Sequence, residues 1–287
     1  MQAIVTRRIP FLLLTLFVSS VLIFVATEVL PVDVARNMLG QFATQEAVDA
    51  LNERLGSNKP LVERYAGWLG RVLTGDFGES TSQRSAVEPL IVKHAINSGI
   101  LAGAALLLIM PFALLLGIVA GLYPDRAPDR VISIASLATT STPEFVVGVL
   151  LLLVFAIKLH LLPGSSALTM ERTALEAPSK LVLPVLTLAI VDIGYVARMT
   201  RASMIEVMRS DYVRAAKLRG IPFHRVVLRH ALRNALLTPI TVVMLHVNWL
   251  IGGIVVTETI FAYPGLGQLI LTAAHSRDVP LLEAGAL

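Results

Sequence analysis

Five stretches of this chain are apolar for about the thickness of a lipid bilayer, and that pattern restricts the fold more than any single residue does. They run over Ile9–Leu30, Ala95–Tyr123, Val131–His160, Lys180–Met199 and Leu236–Ala262. A helix needs roughly 20 apolar residues to cross the hydrocarbon core. Only helices and closed barrels satisfy their backbone amides there. Runs of this length therefore predict an all-α polytopic membrane protein. Composition agrees: 55% of residues are hydrophobic, 15% are charged and mean hydropathy is +0.74, whereas soluble domains carry about 25% charged residues.

Charge and turn signals set the expected topology. Arg7 and Arg8 precede the first run, so the positive-inside rule places the N-terminus in the cytoplasm. A signal peptide has an apolar core of about 7–15 residues and a small-residue cleavage site. This run is longer and shows no clear site, so a retained helix is expected. Residues 31–94 are mixed and polar and are expected outside as a small subdomain. Ala47, Val48, Leu51 and Leu55 recur at helical spacing, Leu61–Leu73 forms a second amphipathic stretch, and Thr74 to Gly78 is turn-rich. The second span carries Gly99-x-x-x-Gly103 and Gly117-x-x-x-Gly121. Such pairs allow close helix packing, although glycine is also simply common in membrane helices. Thr139 to Glu144, with Pro143 inside, interrupts the third span and predicts a broken helix buried in protein.

The most informative segment lies between the fourth and fifth spans. From Arg198 to Arg233 there are nine Lys or Arg and only two acids, Glu206 and Asp211. So basic a loop beside membrane spans is expected in the cytoplasm. Gly220-Ile-Pro222 has the form of a helix C-cap glycine followed by a proline opening the next helix. Small Ala215 and Ala216 precede the turn. The segment reads as a helical elbow presented to a cytosolic partner.

This elbow resembles the cytoplasmic "EAA" loop of the membrane subunits of ATP-driven importers, within them the dipeptide/oligopeptide/nickel permease group. The general pattern is Glu-Ala-Ala, three residues, then Gly. Here it reads Arg214-Ala215-Ala216, three residues, Gly220, with Arg in place of the leading Glu. Two further stretches are similar to that group: Trp68 to Ser80 upstream and Glu258 to Gly267 downstream. The resemblance implies a type I importer transmembrane-domain fold, with five spans here plus the start of a sixth at Leu281–Leu287. Its parts would be an N-terminal membrane helix (1–30), an extracytoplasmic subdomain (31–94) and a permease core (95–287) with the coupling loop at 200–235. It also implies partners: a second homologous permease, two cytosolic ATPases that bind ATP and Mg, an extracytoplasmic substrate-binding protein, and membrane lipid, but no nucleic acid. The chain itself would be a non-catalytic subunit of a prokaryotic inner membrane, with no cofactor or metal of its own. Di- or oligopeptides are the expected cargo, with nickel chelates, glutathione or another small solute as alternatives. The ATPase-coupling residues would be Arg214, Ala215, Ala216, Arg219, Gly220, Pro222 and Arg225. Members of the group continue from a segment like Arg277 to Leu282 into a last membrane helix, so the expectation is a truncated or incompletely represented chain.

Charges inside the spans are the remaining candidates. An acid at a helix centre costs about 2.5–3.5 kcal/mol on insertion scales. Asp192, Glu144, Asn248 and Glu258 are therefore candidates for the translocation path, with polar packing as the competing role. For Asp192 a structural pair with Arg198, Arg201 or the partner permease is favoured, since Arg198 lies only about 9 Å further along the helix axis. Glu258 is expected at the gate or against the binding protein. The sequence has no Cys, no Gly-x-x-x-x-Gly-Lys-Ser/Thr loop, no Gly-x-Ser-x-Gly elbow and no His-Glu-x-x-His pair. Transport energy must then come from a partner or an ion gradient. A proton-driven transporter using Asp192 or Glu144, or a membrane scaffold whose basic loop binds lipid or a partner helix, are the rival readings. Neither accounts for the elbow and Pro264-Gly-Leu-Gly267 together.

Overall fold

The computed structural model describes the backbone of residues 2–29, 36, 39–40, 42–55, 59–168 and 174–287. Side chains are described for these except 2–7, 29, 51, 54–55 and 246–253. Among the described residues the structure is helical, with one isolated bridge between Glu79 and Ala86. The chain divides into two compact units, residues 1–95 with 268–287, and residues 96–267.

The first unit contains α1 (Gln2–Val29), α2 (Gln45–Leu55) and α3 (Leu61–Leu73). It also holds the first turns of α4 (Val87–Leu122), most of α10 (Leu266–Ser276) and α11 (Val279–Ala286). Most of α1 is uncovered: Phe11, Leu12, Leu13, Leu14 and Leu22 are all exposed, as suits a helix facing lipid. Its covered face carries Ser20, Phe24 and Thr27. There Phe24 meets the rings of Tyr65 and Trp68 at 5.4 and 5.6 Å, and Ser20 Oγ lies 2.8 Å from Tyr65 Oη. The Arg64 guanidinium pairs with Glu28, and Thr27 Oγ1 donates to the buried Glu283 carboxylate at 2.7 Å. Amphipathic α3 thus lays its aromatic stripe on α1. Of the apolar stripe expected in α2, Val48 is fully buried, and Leu51 and Leu55 lie outside the described side chains.

A tight turn follows α3. Ser80 Oγ, Ser82 N–H and Ser82 Oγ all donate to Asp278 Oδ2, at 2.5, 2.9 and 2.7 Å. The other carboxylate oxygen caps α11 by accepting from Leu281 N–H at 3.3 Å. Burial pushes the Asp278 carboxyl up, but the hydrogen bonds from Ser80 and Ser82 outweigh it and hold the group below the usual carboxylate range.

The second unit is built around α7 (Pro178–Met208). Some 56% of its apolar stretch is buried inside the protein, against 33% for α4 and 11% for α1, so α7 is the hub. In lipid the driving force is close packing rather than escape from water. The sequence supplies it with small residues. A Cβ on Gly121 would stand 2.6 Å from Met204 Cβ and 3.0 Å from the Arg201 carbonyl, and one on Gly117 would stand 2.6 Å from the Ala197 carbonyl. Gly99 and Gly103, the same motif in the same helix, have nothing within 4 Å among the described residues. On another side of α7, Gly194 abuts α5 (Ala127–Ser141), where an added Cβ would come within 2.9 Å of the Ser136 carbonyl.

The third expected span is broken at Thr142-Pro143. There α5 gives way to α6 (Glu144–Leu151) through a bend of 100°, and α6 continues in π-helical turns over Leu152–Lys158. The proline removes one amide donor and disfavours a helical residue before it. The next long helix after α7 is α9 (Leu237–Ile260). By length and composition three described helices suit a membrane span, or four with the bent pair as one.

Two outcomes follow. Gly117→Val should cost about 2 kcal/mol or more by overpacking, while Gly103→Val should stay within about 0.5 kcal/mol; thermal unfolding in detergent measures both. Since the Asp278 carboxyl titrates lower when folded, its contribution is fully present above the unfolded value of about 3.9 and is lost as pH falls from there. An acid titration of unfolding should therefore show a flatter profile for Asp278→Asn than for the native chain.

Candidate functional site

The elbow begins where α7 ends. Arg209 closes α7, Ser210 adopts an extended conformation, and α8 (Asp211–Leu218) starts with an acid in its first turn, where it complements the helix dipole. At the far end Gly220 has φ +73°, Gly220 N–H donates to the Lys217 carbonyl at 3.0 Å, and Ile221 N–H donates to the Ala216 carbonyl at 3.3 Å. These paired bonds define a Schellman motif. Glycine is favoured here because a Cβ in the left-handed region costs about 1–2 kcal/mol. Pro222 then opens the second arm, a helical turn Phe223–Arg225, π-helical turns Val226–Ala231 and a last turn Leu232–Ala235.

The elbow carries its own core. Val213, Ala216, Val226, Val227, Ala231 and Ala235 are buried with Met204 of α7, and Ile221, Leu232 and Leu122 pack against them. Ser203 Oγ donates to the Ala235 carbonyl at 2.9 Å, and Asn234 Nδ2 donates to Tyr212 Oη at 2.8 Å across the two arms. The arms are therefore held at a set angle by apolar packing inside and a hydrogen bond outside.

This geometry separates the sequence candidates. Arg214, Ala215, Arg219, Gly220, Pro222 and Arg225 are exposed, whereas Ala216 is 6% exposed and faces the elbow's own core. Sequence reasoning passed over Leu218 and Phe223, which stand exposed on either side of the glycine turn. A signal existed: Leu218 sits two positions after buried Ala216, about 200° around a 3.6-residue helix. The outward face is thus basic with apolar points set in it.

The polar candidates of the core occupy different settings. Glu144 opens α6 at the break and accepts a hydrogen bond from Thr257 of α9. Asp192 is buried in the middle of α7, within electrostatic range of Glu144. The Arg201 guanidinium is engaged by Asp129. Asn248 lies on α9, outside the described side chains.

Glu258 is wholly buried beneath the turn that follows α9. Its carboxylate accepts from Ser98 Oγ, and its carbonyl accepts from Tyr263 N–H at 2.8 Å. Around it, Asn97 Nδ2 donates to the Pro264 carbonyl at 2.9 Å, Leu266 N–H donates to Ser98 Oγ at 2.8 Å, and Tyr263 Oη donates to the Asn97 carbonyl at 2.7 Å. Burial first, and the Glu258 charge after it, push the Tyr263 phenol up, so it stays a donor. A Cβ on Gly265 would overlap the Glu258 carboxylate, and one on Gly267 would come within 2.9 Å of Val255 Cα. The Pro-Gly-Leu-Gly stretch is thus a cover fitted over a buried acid.

Residues 113–287 match the family model described as "Binding-protein-dependent transport system inner membrane component". The chain belongs to that family. Residues 1–90 match the corresponding N-terminal membrane component. Similar proteins include the "Glutathione transport system permease protein GsiC" of Escherichia coli (strain K12) and of Shigella dysenteriae serotype 1, each 33% identical over 283 residues, 99% of this chain and 90% of the relative. The protein of that name from Shigella boydii serotype 4 is 32% identical over the same span. The chain is a transmembrane permease subunit of an ATP-driven, binding-protein-dependent importer of the peptide/nickel type, in the inner membrane. Such permeases work with a partner permease, ATPases and a substrate-binding protein.

The cover over Glu258 makes a sharp prediction. Gly265→Ala should destabilise the second unit by about 1–3 kcal/mol. Part of that loss should return in Gly265→Ala combined with Glu258→Asp, whose shorter side chain vacates the space. Thermal melts of the two variants give the comparison.

Proposed function

We propose that this subunit imports small peptides, and that the elbow from Arg214 to Arg225 is its point of coupling to the ATPases. The carrying observation is the preformed elbow: two arms locked by a Schellman glycine and a private core, with Arg214, Ala215, Leu218, Arg219, Phe223 and Arg225 facing outward. A rigid cationic and apolar knuckle suits a groove on an ATPase whose rim is acidic. Ala215 permits close approach, Ala216 sets the packing of α8 inside the elbow, and Gly220 with Pro222 fixes the angle.

In this reading two ATPases, binding ATP and Mg, close and drive the elbows of this chain and a homologous second permease together. The chain spans the membrane five times and begins a sixth span at Leu281–Leu287. Its N-terminus is cytoplasmic, by the charge of Arg7 and Arg8. ATP hydrolysis belongs to the partners. Glu144 and Asp192 are the groups proposed to face the translocation path, with Asn248 on the same helix as the Glu144 partner Thr257. Glu258 is proposed to act by holding the outer turn. Glutathione is itself a tripeptide, so likeness to the permeases named for it supports a peptide-sized cargo. A binding protein at the outer surface selects among peptides, glutathione and metal chelates.

The test is transport by the complete complex in proteoliposomes. Gly220→Val should insert and assemble but lose at least about tenfold in transport, since left-handed strain of about 1–2 kcal/mol per residue is of the size of one decade in rate. Native rates in that variant, or uptake without ATP, would sink the coupling reading. Competition between labelled dipeptide, tripeptide and glutathione assigns the cargo.

A further inference from the structure

Asp129 is 2% exposed, at the first turn of α5, and α5 packs along α7. Its carboxylate is fully engaged. Arg201 of α7 reaches it with two nitrogens, one through Nε and one at 2.7 Å; Asp125 N–H donates at 2.8 Å and Ser133 Oγ at 3.1 Å. A two-pronged guanidinium–carboxylate pair fixes orientation as well as distance. It therefore resists sliding of one helix past the other, which a purely apolar contact permits.

The neighbourhood of this pair is already stiff. Gly194 of α7 meets the Ser136 carbonyl of α5 one heptad away from it, so the two helices touch at two points in antiparallel register. Gly117 lies against Thr200, and Gly121 against Met204, which places α4 beside α7 in parallel register. The Arg201 carbonyl is itself one of the atoms that a Cβ on Gly121 would meet. The same segment of α7 seats the elbow, through Ser203 Oγ to the Ala235 carbonyl and through Met204. Residues 200–204 thus touch the elbow, α4 and α5 in little more than one helical turn.

We propose that Asp129 and Arg201 are positioning residues for transport, a fixed joint that makes α5 follow α7 when the elbow is pushed. Without it the push reaches α7 and α4, and α5 lags. This rests on the reading of the elbow as the coupling element.

The readout is transport per ATP hydrolysed, per assembled complex in proteoliposomes, which a loss of stability alone leaves unchanged. Asp129→Asn should lower that ratio about tenfold, within the usual range of coupling between sites, while ATP hydrolysis stays within about twofold. Asp129→Glu, which keeps the charge, should recover most of the ratio. A native ratio in Asp129→Asn, with Gly220→Val lowering it in the same assay, overturns the joint and leaves the coupling reading standing. A native ratio in both variants overturns the coupling reading itself. If Asp129→Asn does not assemble, distances decide. The chain has no cysteine, so spin labels on Arg126→Cys and Arg209→Cys, both exposed, are the only two it carries, and labelling this subunit before it is assembled with its partners keeps the readout to this pair of helix ends. Their separation should be the same without nucleotide and with ATP. A change of more than about 3 Å, beyond ordinary helix shifts of 1–2 Å, overturns the proposal.

Discussion

An amide left without a partner in hydrocarbon costs several kcal/mol, and this one penalty organises the chain. It makes every span helical. It also means that wherever a helix must stop inside the bilayer, something has to take over its hydrogen bonds or enclose the gap. The break at Thr142-Pro143 shows the consequence. The helix interrupts at a residue with no amide hydrogen to leave unpaired, while Thr142 N–H still donates to the Thr139 carbonyl at 3.3 Å and Val146 N–H to the Pro143 carbonyl at 3.0 Å. Because lipid is as apolar as leucine, the helices gain little by burying oily surface against each other. What holds α4, α5 and α7 together is proximity, bought by glycines that bring backbone against backbone, with the Asp129–Arg201 pair added between α5 and α7.

The fold class was legible from apolar run length alone, because the bilayer sets a ruler that the sequence has to match. Finer features were legible only where a pattern has one meaning. Gly220-Ile-Pro222 was read as a C-cap and a helix start, and the left-handed glycine with its two bonds sits there. The two Gly-x-x-x-Gly pairs were indistinguishable in sequence, yet among the described residues only the second meets a neighbour. Which face of α4 turns toward α7 depends on residues far along the chain, and no local window contains that information. The choice between Ala215 and Ala216 was, by contrast, a local one. Both are small, and only the position of Val213 on the buried face tells which one turns inward.

Glu258 is the clearest case of a residue whose surroundings lay outside sequence logic. An acid at a membrane helix end suggests a gate or a docking contact. Its setting is a buried pocket in which Ser98 donates to its carboxylate and Tyr263 N–H of the turn above donates to its carbonyl. The pairing of residues 97–98 with 258–266 joins segments about half the chain apart, which spacing cannot foretell. The turn after α3 behaves alike: its serines answer to Asp278, nearly two hundred positions later.

The fit of Gly265 over the Glu258 carboxylate has an evolutionary reading. The two positions share one fixed volume, so neither is free to drift alone. A lineage that gained a methyl at 265 has to give up a comparable group at 258, and a lineage that lost the acid would leave a hole that glycine no longer needs to spare. Changes at these positions should therefore arrive together across descendants, as correlated pairs, even where neighbouring loop residues vary independently.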